Sequence, residues 1–519
     1  MPNRARRTSD YLRGRLGPDL ADLGARIGAR VGDSAARLGR LLGQVGDLVD
    51  DLAADSVAVA REAERLRDVV AAHGATARDA VRAAPRFGRI VSEGLLVAAA
   101  YRLHDAARGP GAELLGENAV DAARERLHRE GARRLHDLCA DLRGGVLKLG
   151  QLASTRIDLL PPAYARELGR LQDRVPPIPA SLIEASIEDS LGVPIGTHFA
   201  ELSAEPLAAA SLAQVHAARL HDGTRVAVKA LVPGIEDVVE ADLAALRVLV
   251  PALREVWPGL DFETVARELA RSLREELDFE TEAANAERFA SEADPGVVVP
   301  RIHRECSSKR VLALELIDGV RLPDWLEACE ARGESGVTER DRLLEILVRT
   351  TSAQILRRGF FHGDPHPGNF LVVESDGGPR LAVLDFGCVQ ALPRERRRAW
   401  ARIVLAGVAR DVPRVLELLT ELGFASRGDP AALEQYAARL VEAVGPGGAL
   451  APGSTDAGAR LRIALELLHD SPIATIPPDA VLLGRVMASL GGLLVRYRPR
   501  FDLLGVVVPD LLRAAAGES

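Results

Sequence analysis

Phe361-His362-Gly363-Asp364-Pro365-His366-Pro367-Gly368-Asn369-Phe370 is the stretch that decides the fold. Two prolines and two glycines keep it out of a helix, and apolar segments flank it on both sides. Within it an aspartate is followed five residues later by an asparagine. Sixteen residues after Asn369, an apolar strand-like run ends in Leu384-Asp385-Phe386-Gly387. Phosphoryl transfer needs such a set: one carboxylate to orient or deprotonate an acceptor, and an amide oxygen with a second carboxylate to hold Mg²⁺ against phosphates. Two plainer readings compete. Asp364 and Asn369 could only cap a turn, as such residues do. Alternatively His362, Asp364 and His366, at every second position, could ligate a hydrolytic metal. Neither accounts for Asp385 or for a lysine far upstream.

That lysine is Lys229, in Val226-Ala227-Val228-Lys229. Small and branched apolar residues place it on a strand, from which an ammonium can reach phosphate oxygens if a carboxylate steadies it. The pattern around it gives the architecture. Leu212–Leu220 and Thr224–Leu231 read as a hairpin closed by His221-Asp222-Gly223. Helical periodicity covers Val238–Val256 and Phe262–Ala290, and strands follow at Val297–Ile302 and Arg310–Ile317. Asp318-Gly319 is a natural hinge, after which come a helix over Arg340–Arg358, two short strands near Phe370–Val373 and Leu381–Leu384, and mostly helix from Arg394. The expected fold class is α+β: a small sheet-rich lobe, a hinge, and a larger, mainly helical lobe.

Upstream, residues 1–105 form a helical extension. Leu38, Leu41, Val45, Leu48 and Leu52 make one apolar stripe, to be packed on its own domain, on a partner helix or on a membrane surface. Residues 106–180 are a helical segment ending in a Pro-rich linker at Val175–Pro179, 181–318 the small lobe, 319–495 the large lobe and 496–519 a helical tail.

Taken together, Lys229, Asp364, Asn369 and Asp385 resemble the protein-kinase superfamily, and three further motifs resemble the UbiB/AarF/ADCK family of atypical kinases. Lys148-Leu149-Gly150-Gln151 is similar to that family's K-x-G-Q segment. Ala208-Ala209-Ala210-Ser211 is similar to its alanine-rich nucleotide loop, and Glu276-Leu277-Asp278 with Glu282 to its E-x-D segment. The resemblance runs over about residues 90 to 495. It implies Mg²⁺ and ATP or ADP as ligands. Asp364 would then be the base or acceptor-positioning residue, Asn369 and Asp385 the metal ligands, and Glu282 the partner of Lys229. Ala208 to Ser211 would lie over the phosphates, with Glu315 and Ile317 at the adenine. Lys148, Gly150, Gln151, Glu276 and Asp278 would form a regulatory set over the site. Glu276, Asp278 and Glu282 are read as lying on one helical segment, with Asp278 and Glu282, four apart, on the same face. Ala230-Leu231-Val232-Pro233-Gly234 departs from the family's usual Val-Gln-Arg-Pro-Gly, and no A-P-E segment follows Asp385-Phe386-Gly387.

The resemblance further implies a role in isoprenoid-quinone or membrane-lipid metabolism, with a lipid surface or quinone-biosynthesis proteins as partners. It leaves the oligomeric state open, a dimer included. A small-molecule kinase of the aminoglycoside or choline type and a non-catalytic nucleotide-binding scaffold are the alternatives. Cysteine usage fits a reducing, cytoplasmic setting, and the resemblance implies peripheral attachment at the inner face of a membrane. The 519 residues carry a net charge of −8, which offers no general attraction to nucleic acid. The cysteines Cys139, Cys306, Cys329 and Cys388 form no C-x-x-C pair. Arg6-Arg7 is not followed by the apolar run of an export signal, and no stretch is long enough for a membrane span. The apolar run Val486–Val495 reads as a core helix, and the basic run Arg394 with Arg396–Arg398 as a solvated helix face.

Overall fold

The computed structural model describes residues 77–115, 117–155, 160–171, 175–256, 262–426, 430–444, 473–475 and 477–517. The stripe Leu38 to Leu52 and the arginine pair near the start lie outside these. The chain divides into two compact units. One holds the described residues up to Pro177 with Ala209–Ala213 and Val232–Arg274. The other holds Ile178–Ala208, Gln214–Leu231 and the residues from Glu275 onward.

The first unit is helical: α1 (Ala77–Leu115), α2 (Glu117–Leu142), α3 (Gly144–Thr155), α4 (Pro162–Leu168), α6 (Ile235–Val256) and α7 (Phe262–Glu275). Its core sets Phe87, Ile90 and Val91 of α1 against Leu138 of α2, Leu147 of α3 and Ala244, Ala245 and Leu249 of α6. Helix α1 approaches α6 so closely at Gly94 that an added Cβ would lie 2.5 Å from Leu249 Cδ1. A glycine there sets the spacing of the two helices.

The second unit begins with α5 (Ala180–Leu191) and a sheet in the order β1-β2-β3-β5. Its strands are β1 (Phe199–Ala209), β2 (Ala213–Leu220), β3 (Arg225–Leu231) and β5 (Val311–Glu315). Val226, Val228 and Ala230 of β3 pack with Ile183 and Ile187 of α5. The period-two alternation of a strand therefore turns Lys229 to the opposite face. The hairpin between β2 and β3 closes as the sequence suggests, with Gly223 at φ +89 and Thr224 N donating to Asp222 Oδ1. Strand β1 had no clear sequence signal. It lies at the sheet edge, is mostly exposed and contains Pro206, so alternation is weak and a missing amide is tolerated.

From β5 the chain runs through Leu316–Gly319 to β6 (Val320–Arg321), which belongs to a second sheet, β4-β9-β8-β6. The other strands there are β4 (Val297–Val298), β8 (Phe370–Val373) and β9 (Arg380–Val383). Residues 316–319 thus link the two sheets, as the Asp318-Gly319 hinge predicts. The expected strand Val297–Ile302 shortens to two residues. Helix α8 (Phe279–Ser291) precedes it, and α9 (Leu322–Ala331) and α10 (Glu334–Ser352) follow β6. A π-helical segment, Ala353–Arg358, leads into β7 (Phe360–His362), which pairs with β10 (Val389–Ala391). Helices α11 (Arg394–Val408), α12 (Val412–Glu421), α13 (Pro430–Val444), α14 (Pro478–Tyr497) and α15 (Leu503–Ala516) complete the lobe, with a short pair β11 (Ala425–Ser426) and β12 (Ile473–Thr475). This is a bilobal, kinase-like α+β fold.

Two sequence readings of the C-terminal lobe meet different outcomes. The run Val486–Val495 does form core: Val486, Leu490 and Leu493 pack with Phe361, Phe370 and Phe386. The basic run of α11 is not a solvated face. Arg396 donates to Leu422 O at 2.8 Å, Arg398 Nε to Ala515 O at 3.2 Å and Arg397 to Leu356 O at 3.4 Å, and Arg394 reaches Gly517 O. Each guanidinium meets a carbonyl at the C-terminal end of another helical segment, where such carbonyls lack partners and carry partial negative charge. Among the described residues no helix is long and apolar enough to cross a membrane.

Candidate functional site

Lys229 enters the site from the middle of β3, and α8 meets it. Its Nζ donates to both Oε1 and Oε2 of Glu282 at 2.8 Å. Glu282 is only 4% exposed and Lys229 23%. The helical pattern read as continuous over Phe262–Ala290 is interrupted here. Asp278 caps α8, accepting from Glu280 N and Thr281 N, so Glu276 and Asp278 lie in the break between α7 and α8. The expectation that Asp278 and Glu282 share a helical face is therefore corrected. The capping aspartate starts the helix that carries Glu282.

The pairing of β7 with β10 aligns the two sequence motifs. His362 lies opposite Val389, and Gly363 N donates to Cys388 O at 2.7 Å. Between the strands, the loop is braced from within. Asp364 N donates to His362 Nδ1 at 3.0 Å, and Asn369 Nδ2 donates to Asp364 O at 3.1 Å. Leu384 N donates to Asn369 O, tying the loop to the segment before Asp385. Gly387 N donates to Asp385 Oδ1 at 2.8 Å. Phe386 is buried against Phe289 of α8, and its carbonyl accepts from Asn285 Nδ2 at 3.0 Å. Helix α8 therefore holds both the lysine partner and the Asp385 turn.

The charges show the convergence. Lys229 is held above its ordinary range by the carboxylates of Glu282, Asp385 and Glu276, against the opposing effect of burial. Burial raises Glu282, with Asp385 adding to the rise and Lys229 opposing it. His362 is pushed down by burial and is therefore the neutral imidazole at pH 7. Its Nδ1 acts as an acceptor inside the loop, as does His366 Nδ1 for Gly368 N. Those uses set the two imidazoles apart from the metal-hydrolase reading. Among the described residues no group of three His, Cys, Asp or Glu side chains could hold a metal. Cys388 is pushed up to about 11, mainly by burial.

The remaining sequence candidates fall in three places. Ala208 and Ala209 end β1, and the turn to β2 closes with Ala210 N donating to Ala213 O at 2.9 Å; Ser211 is buried in that turn. Glu315 ends β5, its N donating to Arg301 O and its side chain accepting from Arg301 N, and Ile317 lies two residues on, in the hinge. Lys148, Gly150 and Gln151 lie on α3 of the first unit, where Gln151 Nε2 donates to Leu171 O at 3.3 Å. The start of α3 is fixed by Asp242, which accepts Val146 N at 2.7 Å and pairs with Arg86.

Sequence reading missed one side chain of the site. Arg485, on α14, donates Nη2 to Asp364 Oδ2 at 2.6 Å. It lies 121 positions from its partner, and only its place on the polar edge of an apolar helix could have hinted at it.

Comparison with known proteins gives the family. The ABC1 atypical kinase-like domain matches residues 170–419. The chain is 38% identical over 284 residues to a protein of Marinobacter nauticus named probable protein kinase UbiB, covering 54% of this chain and 51% of that one. It is 36% identical over 286 residues to the uncharacterized Synechocystis protein slr0889, covering 53% of this chain and 69% of that one. The chain belongs to the UbiB/AarF/ADCK family of atypical kinases. A solved structure, the complex of Rv3197 with erythromycin from Mycobacterium tuberculosis, aligns with a TM-score of 0.51 at 26% identity, over 75% of this chain and 99% of that one. The chain thus spans about half the length of its Marinobacter UbiB relative. The ABC1 match at 170–419 includes Lys229, Glu282, Asp364, Asn369 and Asp385, whereas Lys148 and Arg485 fall outside it.

Proposed function

We propose that the protein binds Mg²⁺-ATP between β3 and the loops after β7 and β9, and transfers or hydrolyses its terminal phosphoryl group. The observation that carries this reading is the Lys229–Glu282 pair at 2.8 Å, with the charge of Asp385 acting on both members. Two of the three ammonium donors of Lys229 go to Glu282. A steadied lysine of this kind suits α/β-phosphate oxygens. The donor set fits magnesium, which favours oxygen ligands and takes one or two carboxylates plus phosphate and water. Asn369 uses Nδ2 on Asp364 O, so its amide oxygen is the atom offered to a metal, and Asp385 Oδ1 is fixed by Gly387 N. Bound magnesium would supply neutralisation of the phosphate charge. Asp364 orients the acceptor hydroxyl or water and takes its proton. By the family likeness, Glu315 and Ile317 border the adenine, and Glu276 and Asp278 regulate access.

The family likeness supports service to isoprenoid-quinone or membrane-lipid metabolism, with the protein cytoplasmic and peripheral to a membrane. The decisive experiment measures Mg²⁺-ATP affinity and phosphate release of the wild type and Asp385→Asn, with and without anionic liposomes and phenolic quinone precursors. Metal-dependent binding lost in Asp385→Asn, with turnover in the wild type, is the expected result. Equal metal-dependent affinity in both proteins removes the reading. The erythromycin complex of the Mycobacterium tuberculosis neighbour makes a macrolide the first small molecule to add as an alternative acceptor or ligand.

A further inference from the structure

Helix α14 reaches the loop after β7 with two side chains one turn apart. Arg485 Nη2 donates to Asp364 Oδ2 at 2.6 Å, and Ser489 Oγ donates to Pro365 O at 2.8 Å. The backbone of Asp364 is already held by its own loop: its N donates to His362 Nδ1, and its carbonyl accepts from Asn369 Nδ2 and His366 N. Among the described residues, the hydrogen bond to its carboxylate comes not from the loop but from α14. The position of Arg485 is in turn set by the core, since its neighbours Leu483 and Val486 are buried on the same helix. Arg485 is 24% exposed and Asp364 31%. Ion pairs this open to solvent contribute little to folding. A contact of low structural value, made to one oxygen of the carboxylate that faces the acceptor, points to a role in the reaction.

We propose that Arg485 is a positioning residue for phosphoryl transfer. It ties down Asp364 Oδ2 and leaves Oδ1 to meet the acceptor, while Ser489 holds the next residue of the loop. This rests on the reading of Asp364 as the acceptor-orienting carboxylate. In that step the acceptor O–H bond breaks and its proton passes to Oδ1. The acceptor oxygen forms the new P–O bond, and the departing ADP oxygen keeps the electron pair of the old one. A carboxylate free to rotate would present the wrong oxygen for part of the time, and small misplacements of reacting groups are costly.

The test uses the full chain as wild type, Arg485→Ala, Arg485→Lys, Asp364→Asn, the Arg485→Ala/Asp364→Asn double variant and Ser489→Ala. With Mg²⁺-ATP, Arg485→Ala is expected to lower kcat by about 10- to 100-fold while KM for ATP changes by less than about twofold. Arg485→Lys recovers most of the loss, and Ser489→Ala loses about threefold. In the Asp364→Asn background the Arg485→Ala loss disappears, because the arginine acts through that carboxylate. Unchanged kcat in Arg485→Ala, or an equal loss in both backgrounds, overturns the proposal. Thermal unfolding confirms that each variant is folded. Absence of turnover in the wild type sinks the functional reading on which this proposal rests, whereas wild-type turnover that Arg485→Ala leaves unchanged sinks the positioning role alone.

Discussion

Two buried ion pairs, one in each compact unit, look alike and differ in what surrounds them. Arg86–Asp242 joins α1 to α6, with Asp242 0% and Arg86 13% exposed. Lys229–Glu282 joins β3 to α8. Around Arg86 every partner belongs to the chain's own framework. Its guanidinium donates to both Asp242 oxygens and to Leu142 O and Arg143 O, and Asp242 accepts Val146 N. Arg143 and Gly144 hold φ of +56 and +60 there, so the network fixes a sharp turn between α2 and α3. Around Lys229 the further charges are carboxylates, Asp385 and Glu276, and among the described residues no backbone carbonyl accepts from its ammonium. A pair closed by backbone groups is complete without a ligand. A lysine set among acids suits the phosphate and cation of the proposed ligand.

The largest expected effect tests the second half of that contrast. Lys229→Met and Asp385→Asn should each lower turnover by about 10³-fold, the scale of losing an electrostatic contact made to transferring phosphates. Steady-state phosphate release measures this. If Arg86→Met lowered turnover as much with unchanged stability, the distinction between a closed and an open pair would be lost. Arg86→Met should act on folding instead. It leaves Asp242 buried without its cation, at a cost of about 3–5 kcal/mol by denaturant unfolding, and the added change Asp242→Leu should recover part of that. A loss below about 1 kcal/mol would show the network to be slack. Gly145→Ala probes the same network more gently. Its Cβ would lie 2.7 Å from Asp242 Oδ2 and 3.2 Å from the Val239 backbone. A loss of about 1–3 kcal/mol is expected, as for other overpacked sites.

The two pairs also differ in how far the sequence disclosed them. Lys229, Asp364, Asn369 and Asp385 stand in short motifs whose spacing reflects local structure: a strand, a braced loop and a tight turn. Glu282 was reached through the resemblance of Glu276-Leu277-Asp278 with Glu282 to the family's E-x-D segment, not through its own spacing. The helix boundary between Asp278 and Glu282 was not legible, since a capping aspartate among other acids looks like continued helix. Arg86, Asp242 and Arg485 carry no local signature. Their partners are 156 and 121 positions away, and only tertiary packing brings them together. The arginines of α11 misled for a related reason. A basic helix face looks the same whether it meets water or the carbonyl ends of neighbouring helices, and the choice depends on where α12 and α15 end.

Acid should separate the two regions by sign. His362 is buried and held below its ordinary 6.5, so the unfolded chain binds its proton more readily than the folded one. Its contribution to stability is complete above pH 6.5 and is lost as pH falls toward the folded-state value, with a slope of at most about 1.4 kcal/mol per pH unit. The loss has a local cause, since a proton on Nδ1 would end its acceptance of Asp364 N and loosen the loop. Asp242 runs the other way. Burial holds its carboxyl above 3.8, so its cost at neutral pH eases as pH falls through that raised value. Denaturant unfolding at pH 7.5 and 5.5 reads the difference in wild type and His362→Asn, whose amide oxygen can still accept from Asp364 N without titrating in this range. The variant should lose less stability than the wild type between these two pH values. An equal loss in both would assign the acid response to groups away from the loop, and the neutral imidazole would no longer distinguish this region from the first unit.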